Sequence, residues 1–172
     1  NYYNKPLKLR VLNNDWNNFI FEHPYGTCYH NFELEQREYL IQDSYPNIRN
    51  LEIWSEEVID KNLIKFPNLT DLMISNNDNI SDKSIIKLQY LKALNFWDCP
   101  KITKKSLEIL IHLEDLSYCA DNVRISLLTK LKTLYCSQSD VTDEEIKNLT
   151  QLQILQCYDT IITDEGIKNL KQ

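Results

Sequence analysis

Three groups of residues have types that could support covalent or metal chemistry, and each falls short. His23, Cys28 and His30 stand as His-x4-Cys-x-His. A zinc site needs four ligands in tetrahedral array, and no second Cys-x-x-Cys-like pair is present to complete one. Cys119 and His112 are a nucleophile and a base by type, but a strand-and-turn reading of their segment puts them on different faces. The adjacent acids Glu56-Glu57 and Glu144-Glu145 read as a solvated turn and a helix start. There is no Gly-rich phosphate loop, no Gly-x-Ser-x-Gly and no metalloprotease helix motif. We therefore expect a non-enzymatic chain with no catalytic residue, no resident metal and no cofactor. The chemistry that remains is recognition, and the residues suited to it are the large aromatics.

What positions those aromatics is a repeat. Leu91 to Leu110 reads Leu-x-x-Leu-x-Phe-x-x-Cys-x-x-Ile, followed by Thr-Lys-Lys-Ser-Leu-x-x-Leu. The same phrase opens at Ile48, Leu69, Leu91, Leu113, Leu131 and Leu152, in steps of 21, 22, 22, 18 and 21 residues. Apolar residues at alternating places on a short strand point the same way. One such coil cannot bury them alone. Stacking coils one strand spacing apart turns the strands into a parallel sheet and the leucines into one core.

The other half of each repeat is also legible. Ser81, Thr103, Thr142 and Thr163 each precede a helical pattern and are suited to be N-caps. Thr142 with Glu145 has the spacing of a capping box. The pattern predicts helices of about two turns at Ser84–Leu88, Ser106–Leu110, Glu145–Leu149 and Gly166–Leu170. The fourth repeat is too short for a full helix between Asn122 and Leu128, so a loop or a single 3₁₀ turn is expected there. The corner position holding Asn77, Cys99, Asp121, Ser139 and Thr160 suits hydrogen bonds to neighbouring turns.

Residues 1–45 do not fit the repeat. They carry strand patterns at Pro6–Leu12, Phe19–Phe21 and Phe32–Leu34, and a helical one at Glu35–Ile41. We expect an N-terminal cap or flanking segment at 1–45, and an array of about six repeats at 46–172.

The repeat residues resemble the leucine-rich repeat family over about three quarters of the chain. Cys99-Pro100-Lys101-Ile102-Thr103, Val141-Thr142-Asp143-Glu144-Glu145-Ile146 and Ile162-Thr163-Asp164-Glu165-Gly166-Ile167 look most like its cysteine-containing subclass, found in F-box/LRR proteins. The resemblance implies an α/β right-handed solenoid with a parallel concave sheet and short convex helices. It implies a protein-protein interaction module. It also suggests two narrower roles: substrate recognition for an F-box-type ubiquitin ligase, or a pathogen or viral effector that binds a host protein. Residues 1–45 show no clear F-box, so that module would lie upstream of Asn1.

In such a sheet the variable strand residues face outward in three columns. The first is Asn50, Asp71, Ala93, Asp115, Thr133 and Ile154. The second is Glu52, Met73, Asn95, Ser117, Tyr135 and Gln156, and the third Trp54, Ser75, Trp97, Cys119, Ser137 and Tyr158. The core needs none of these, and Trp and Tyr dominate interface hot spots. The expected partner-binding patch is Trp54, Trp97, Tyr135 and Tyr158 with Met73 between them. Glu52, Asp71 and Asp115 would form an acidic rim that favours a basic partner segment. The alternative is that these aromatics pack on one another or under the N-terminal segment.

Composition narrows the partner. The chain has 172 residues, a formal charge of −6 and no basic run, so a grip on phosphate backbones is not expected. No apolar run reaches the roughly 20 residues that span a bilayer. The five cysteines are odd in number and mostly repeat-related, which favours a reducing compartment over a disulfide framework. The expected location is the cytoplasm, or a host's cytoplasm for an effector. The Leu-rich last repeat lacks an obvious cap, an end through which two copies could pair as a homodimer.

Overall fold

The computed structural model describes residues 9–11, 19–21, 49–53, 56, 58–121 and 123–170. Two short strands, β1 (Leu9–Val11) and β2 (Phe19–Phe21), pair antiparallel. They coincide with the first two strand patterns read from the sequence. The third strand pattern and the helical one lie outside the described residues, as does the covering role expected of this segment.

The array itself is a six-stranded, wholly parallel sheet in chain order. Its strands are β3 (Asn50–Ile53), β4 (Asp71–Ser75), β5 (Ala93–Trp97), β6 (Asp115–Cys119), β7 (Thr133–Tyr135) and β8 (Ile154–Gln156). Each is followed by a return path on the opposite side of the coil. These paths carry α1 (Asp60–Leu63), α2 (Asp82–Ile85), α3 (Lys104–Leu107), α4 (Asp143–Ile146) and α5 (Asp164–Ile167). Sequential parallel strands joined this way, each coil touching only its neighbours, make a leucine-rich repeat solenoid.

The core lies between sheet and return paths. Leu51, Leu72, Leu94, Leu116 and Leu134 are buried in one column, and Ile53, Ile74, Phe96, Tyr118 and Cys136 in the next. Phe96 and Tyr118 stack with ring centroids 5.9 Å apart. Burial holds the Tyr118 phenol far above its ordinary pKa. Its neighbour Ser139 donates instead to the Cys136 carbonyl at 2.6 Å, and Tyr118 Oη has no well-formed partner.

The helices are shorter than the sequence predicts. Each is a single turn that starts directly after its cap, as α2 does after Ser81. Each then tightens into i→i+3 bonds, such as Lys87 N–H to Ser84 O at 3.1 Å and Leu88 N–H to Ile85 O at 3.0 Å. A coil of about 21 residues must bring both Leu88 and Leu91 back under the sheet, and a second α-turn would carry Leu88 past it. The inward pairs still hold for Ile85/Leu88, Leu107/Leu110 and Ile146/Leu149, all buried, whereas Ile167 is exposed and Leu170 half-buried in the last coil. α1 has no counterpart in the predicted helices, because its cap is Ile59 rather than a hydroxyl residue. Ile59 N–H donates instead to Asn62 Oδ1 at 3.0 Å. Between β6 and β7 there is no helix among the described residues. Leu128 N–H to Ile125 O and Leu131 N–H to Leu128 O close tight turns there, as expected.

A ladder of carboxylates joins the return paths. Asp60, the first residue of α1, accepts from the next coil's cap: Ser81 N–H at 2.8 Å and Ser81 Oγ at 2.6 Å. It also accepts from Ser84 Oγ at 2.6 Å. Asp82 repeats this with Thr103 N–H at 2.8 Å, Thr103 Oγ1 at 2.7 Å and Ser106 Oγ at 2.5 Å. Asp143 repeats it with Thr163 N–H and Oγ1, both at 2.7 Å. The ladder breaks only around the helix-free fourth coil. There α3 starts with Lys104, and Thr142 finds no carboxylate on the coil before it. Its N–H and hydroxyl turn to Glu145 Oε2 of its own helix, at 3.1 and 3.4 Å. Glu145 is buried, with Arg124 Nη1 3.8 Å from its other oxygen.

Two predictions come from the ladder. Burial opposes ionisation of Asp60, but the bonds from Ser81 and Ser84 outweigh it, and its pKa lies below the ordinary 3.8. A carboxyl whose folded pKa is depressed contributes stability above its unfolded pKa and loses it as pH falls through the folded one. Asp60→Asn should therefore cost about 1.5–3 kcal/mol at pH 7, the range for hydrogen bonds to charged groups, and the deficit should shrink below pH 4. Urea unfolding at pH 7 and pH 3 measures both. The second concerns Gly166, where an added Cβ would sit 2.2 Å from Asp143 Oδ1 and 3.0 Å from Asp143 Cα. Alanine in a helix is favoured over glycine by about 1 kcal/mol, yet Gly166→Ala should lower the melting temperature. In an Asp143→Ala background the same change should lower it less, because the Oδ1 and Cγ contacts are gone while the backbone contact at Cα remains.

Candidate interaction surface

The sheet register fixes which residues point outward together. Asn50, Asp71, Ala93, Asp115, Thr133 and Ile154 are successive partners across the six strands, and so are Glu52, Met73, Asn95, Ser117, Tyr135 and Gln156. Ser75, Trp97 and Cys119 align in the third column. Past the ends of β7 and β8 the coils stay in step through Cys136 N–H to Gln156 O at 2.9 Å and Gln138 N–H to Tyr158 O at 3.0 Å. These are the three columns counted from the repeat, except that Trp54 lies outside the described residues.

Strand-exit backbone sets how the third column is presented. Asn76, Asp98, Gln138 and Asp159 follow it with φ of 51°, 50°, 58° and 54°. Left-handed backbone suits Asn and Asp best among residues with a Cβ. It turns the chain out of the sheet just after Ser75, Trp97, Ser137 and Tyr158. The backbone at Trp97 is held on both sides: its carbonyl accepts from Asn76 N–H at 3.0 Å and from Cys99 Sγ at 3.2 Å. Cys99 Sγ also lies 3.8 Å from Ile74 O of the preceding coil. At the same corner Asn77 Nδ2 reaches Val58 O, also one coil back, at 3.0 Å, whereas the shorter Ser139 and Thr160 bond carbonyls of their own coil.

The result is an open groove of about 640 Å³ over β5 to β8. Trp97, Tyr135 and Tyr158 line it, with Asn95, Ser117, Cys119, Ser137 and Gln156 between them and Asp98 and Gln138 at the strand exits. Ser117 is buried, whereas Tyr135 and Tyr158 are 39% and 57% exposed. No ring pair forms among Trp97, Tyr135 and Tyr158; the one stacked pair among the described residues is Phe96 with Tyr118, inside the core. Three of the expected aromatics thus share one groove. Met73, Glu52 and Asp71 stand apart from it on β3 and β4, and Asp115 lies in the first column outside its lining. Asp98 and Gln138 did not emerge from column counting because they follow the strands. The recurrence of Asn or Asp one residue after the third column was the available signal.

Charge along the first-column edge is mixed. Glu114, next to Asp115, pairs with Lys92 at 3.3 Å and Lys132 at 2.5 Å. Bonds from those two lysines hold its pKa below the usual glutamate value. Glu114 in turn raises that of Lys132, with Asp115 adding to the effect. The charge of Glu114 is thus offset by two lysines.

Among the described residues no group of three or more His, Cys, Asp or Glu is placed to hold a metal ion. His23, Cys28 and His30 lie outside them. His112 precedes β6 and Cys119 ends it, so a strand length separates that pair. No helix among the described residues is long and apolar enough to cross a membrane.

Comparison with known proteins supports the fold. No protein-family model matches the chain, and no curated protein is similar to it in sequence. A similar solved structure is an internalin (inlF) from Listeria monocytogenes, with a TM-score of 0.53 at 18% identity. The likeness covers 74% of this chain and 47% of the internalin, so the chain spans about half that protein's length.

Thiol reactivity offers a direct test of the surface assignment. Cys119 is exposed in the groove, whereas burial raises the pKa of Cys99 and pushes that of Cys136 up to about 12. A thiolate is the reactive form. Alkylation at neutral pH, resolved site by site by mass spectrometry, should label Cys119 quickly and spare Cys99 and Cys136 until the chain unfolds.

Proposed function

We propose that this chain is a non-enzymatic module that binds another protein on its concave sheet, with Trp97, Tyr135 and Tyr158 as the anchors. The observation that carries this reading is three large aromatic side chains in one groove, on backbone locked coil to coil, with their rings engaged in no aromatic pair. A preformed surface of this kind loses little ordering entropy on association, and aromatics at the centre of a contact supply most of its energy. Met73, Glu52 and Asp71 would extend the contact towards β3, and Trp54 with them.

Two narrower forms of this reading have support. Cys99 at the repeat corner, within Cys99-Pro100-Lys101-Ile102-Thr103, favours the substrate-recognition part of an F-box-type ubiquitin ligase. The aromatic groove alone fits an effector that binds a host protein without a ligase. A reducing cytoplasm suits either, since Cys99, Cys119, Cys136 and Cys157 are free thiols. Co-purification with a ligase adaptor subunit separates the two. The half-buried Leu155, Cys157, Ile162 and Leu170 of the last coil support a contact between two copies there, which light scattering reads directly.

The main reading is tested with displayed random peptides selected on the protein. Peptides bound through the groove should lose at least tenfold in affinity to a Trp97→Ala/Tyr158→Ala variant that melts as the parent does. Undiminished binding to that variant would sink the proposal.

A further inference from the structure

We infer that the groove receives an arginine side chain from the partner, a deepening that rests on the concave-sheet reading above. Three observations converge on a cation of this shape. First, the groove presents Trp97, Tyr135 and Tyr158 with no partner ring among the described residues. A cation within about 6 Å of an aromatic face is attracted to its negative π-cloud, most strongly at Trp. Second, the lining contains no Lys, Arg or His, and its single charged residue is Asp98. That residue is exposed and makes no ion pair or side-chain hydrogen bond among the described residues. Its left-handed backbone sets it directly after Trp97, so a carboxylate and the best π-face belong to one strand exit. Third, Asp159 occupies the equivalent left-handed position directly after Tyr158, so the far end of the groove is flanked the same way.

The remaining lining groups favour arginine over lysine. A guanidinium is planar, stacks on aromatic faces and offers five donors in a fixed fork. Asn95, Ser117 and Gln156 present neutral amide and hydroxyl oxygens along the second column to take up the donors that Asp98 does not. An aromatic or aliphatic anchor would gain from the rings but would leave those polar groups and the Asp98 carboxylate desolvated without partners, which is costly.

The test uses the full chain and the groove-dependent peptides selected above. Arginine should recur at one position in them. Replacing that arginine with citrulline, its neutral isostere, should weaken binding at least tenfold. Asp98→Asn should weaken the arginine peptide threefold or more, flatten its dependence on salt, and leave the citrulline peptide unchanged. Groove-dependent peptides without a recurrent arginine, or a citrulline exchange costing less than twofold, would overturn this inference while the concave-sheet reading stands. If no selected peptide depends on Trp97 and Tyr158, both fall together. As a second readout, N-acetyl-arginine amide should shift the Trp97 indole resonance saturably, and N-acetyl-citrulline amide should not.

Discussion

The array is held in step by carboxylates that reach across from one coil to the next coil's helix cap. A single turn of helix cannot satisfy its own amino-terminal N–H groups, and one coil cannot cover its own leucines. Asp60, Asp82 and Asp143 help to solve both problems at once. Each takes the cap N–H and hydroxyl of the following coil, so the bonds that finish one helix also set the spacing to the previous one. The exception supports the rule. Where the fourth coil has no helix, the preceding Asp is replaced by Lys104, and Glu145 folds back to cap Thr142 from within its own helix.

The same lock shapes the opposite side. With the return paths held in step, the strands stay in register, and every outward column remains a straight row across the sheet. Backbone groups around Trp97, Tyr135 and Tyr158 are committed to neighbouring coils, and the rings are not. The protein thus separates two jobs by face: hydrogen bonds and leucines hold the array, and the outward columns are free to vary. Tyr118 shows the limit of that separation. Its ring fills the core beside Phe96, in a column that narrows to Cys136 at the next coil.

Repeat period, inward leucines, N-caps and outward columns were all legible in the sequence, because each rests on a local pattern that alternates or recurs. Helix length was not. The cap residues announce where a helix starts, but its end is decided by how soon the chain must return beneath the sheet. α1 escaped notice because its cap uses an asparagine side chain in place of a hydroxyl residue at the cap itself. The ladder escaped because Asp60 and Ser81, or Asp143 and Thr163, are about a repeat apart and meet only when coils stack.

For the candidate site the division is the same. Spacing alone placed Trp97, Tyr135 and Tyr158 on the outward face, since within each period-two strand they alternate with the inward leucine positions. Which outward residues share a groove was a tertiary decision. The left-handed exit after Trp97 brings Asp98 into the lining, and the pairing of Glu114 with Lys92 and Lys132 offsets negative charge at the edge beside Asp115. Sequence determines the direction in which each side chain leaves the strand. The stacking of coils determines what stands beside it, because neighbours across a solenoid are set by the pitch of the array and not by separation along the chain.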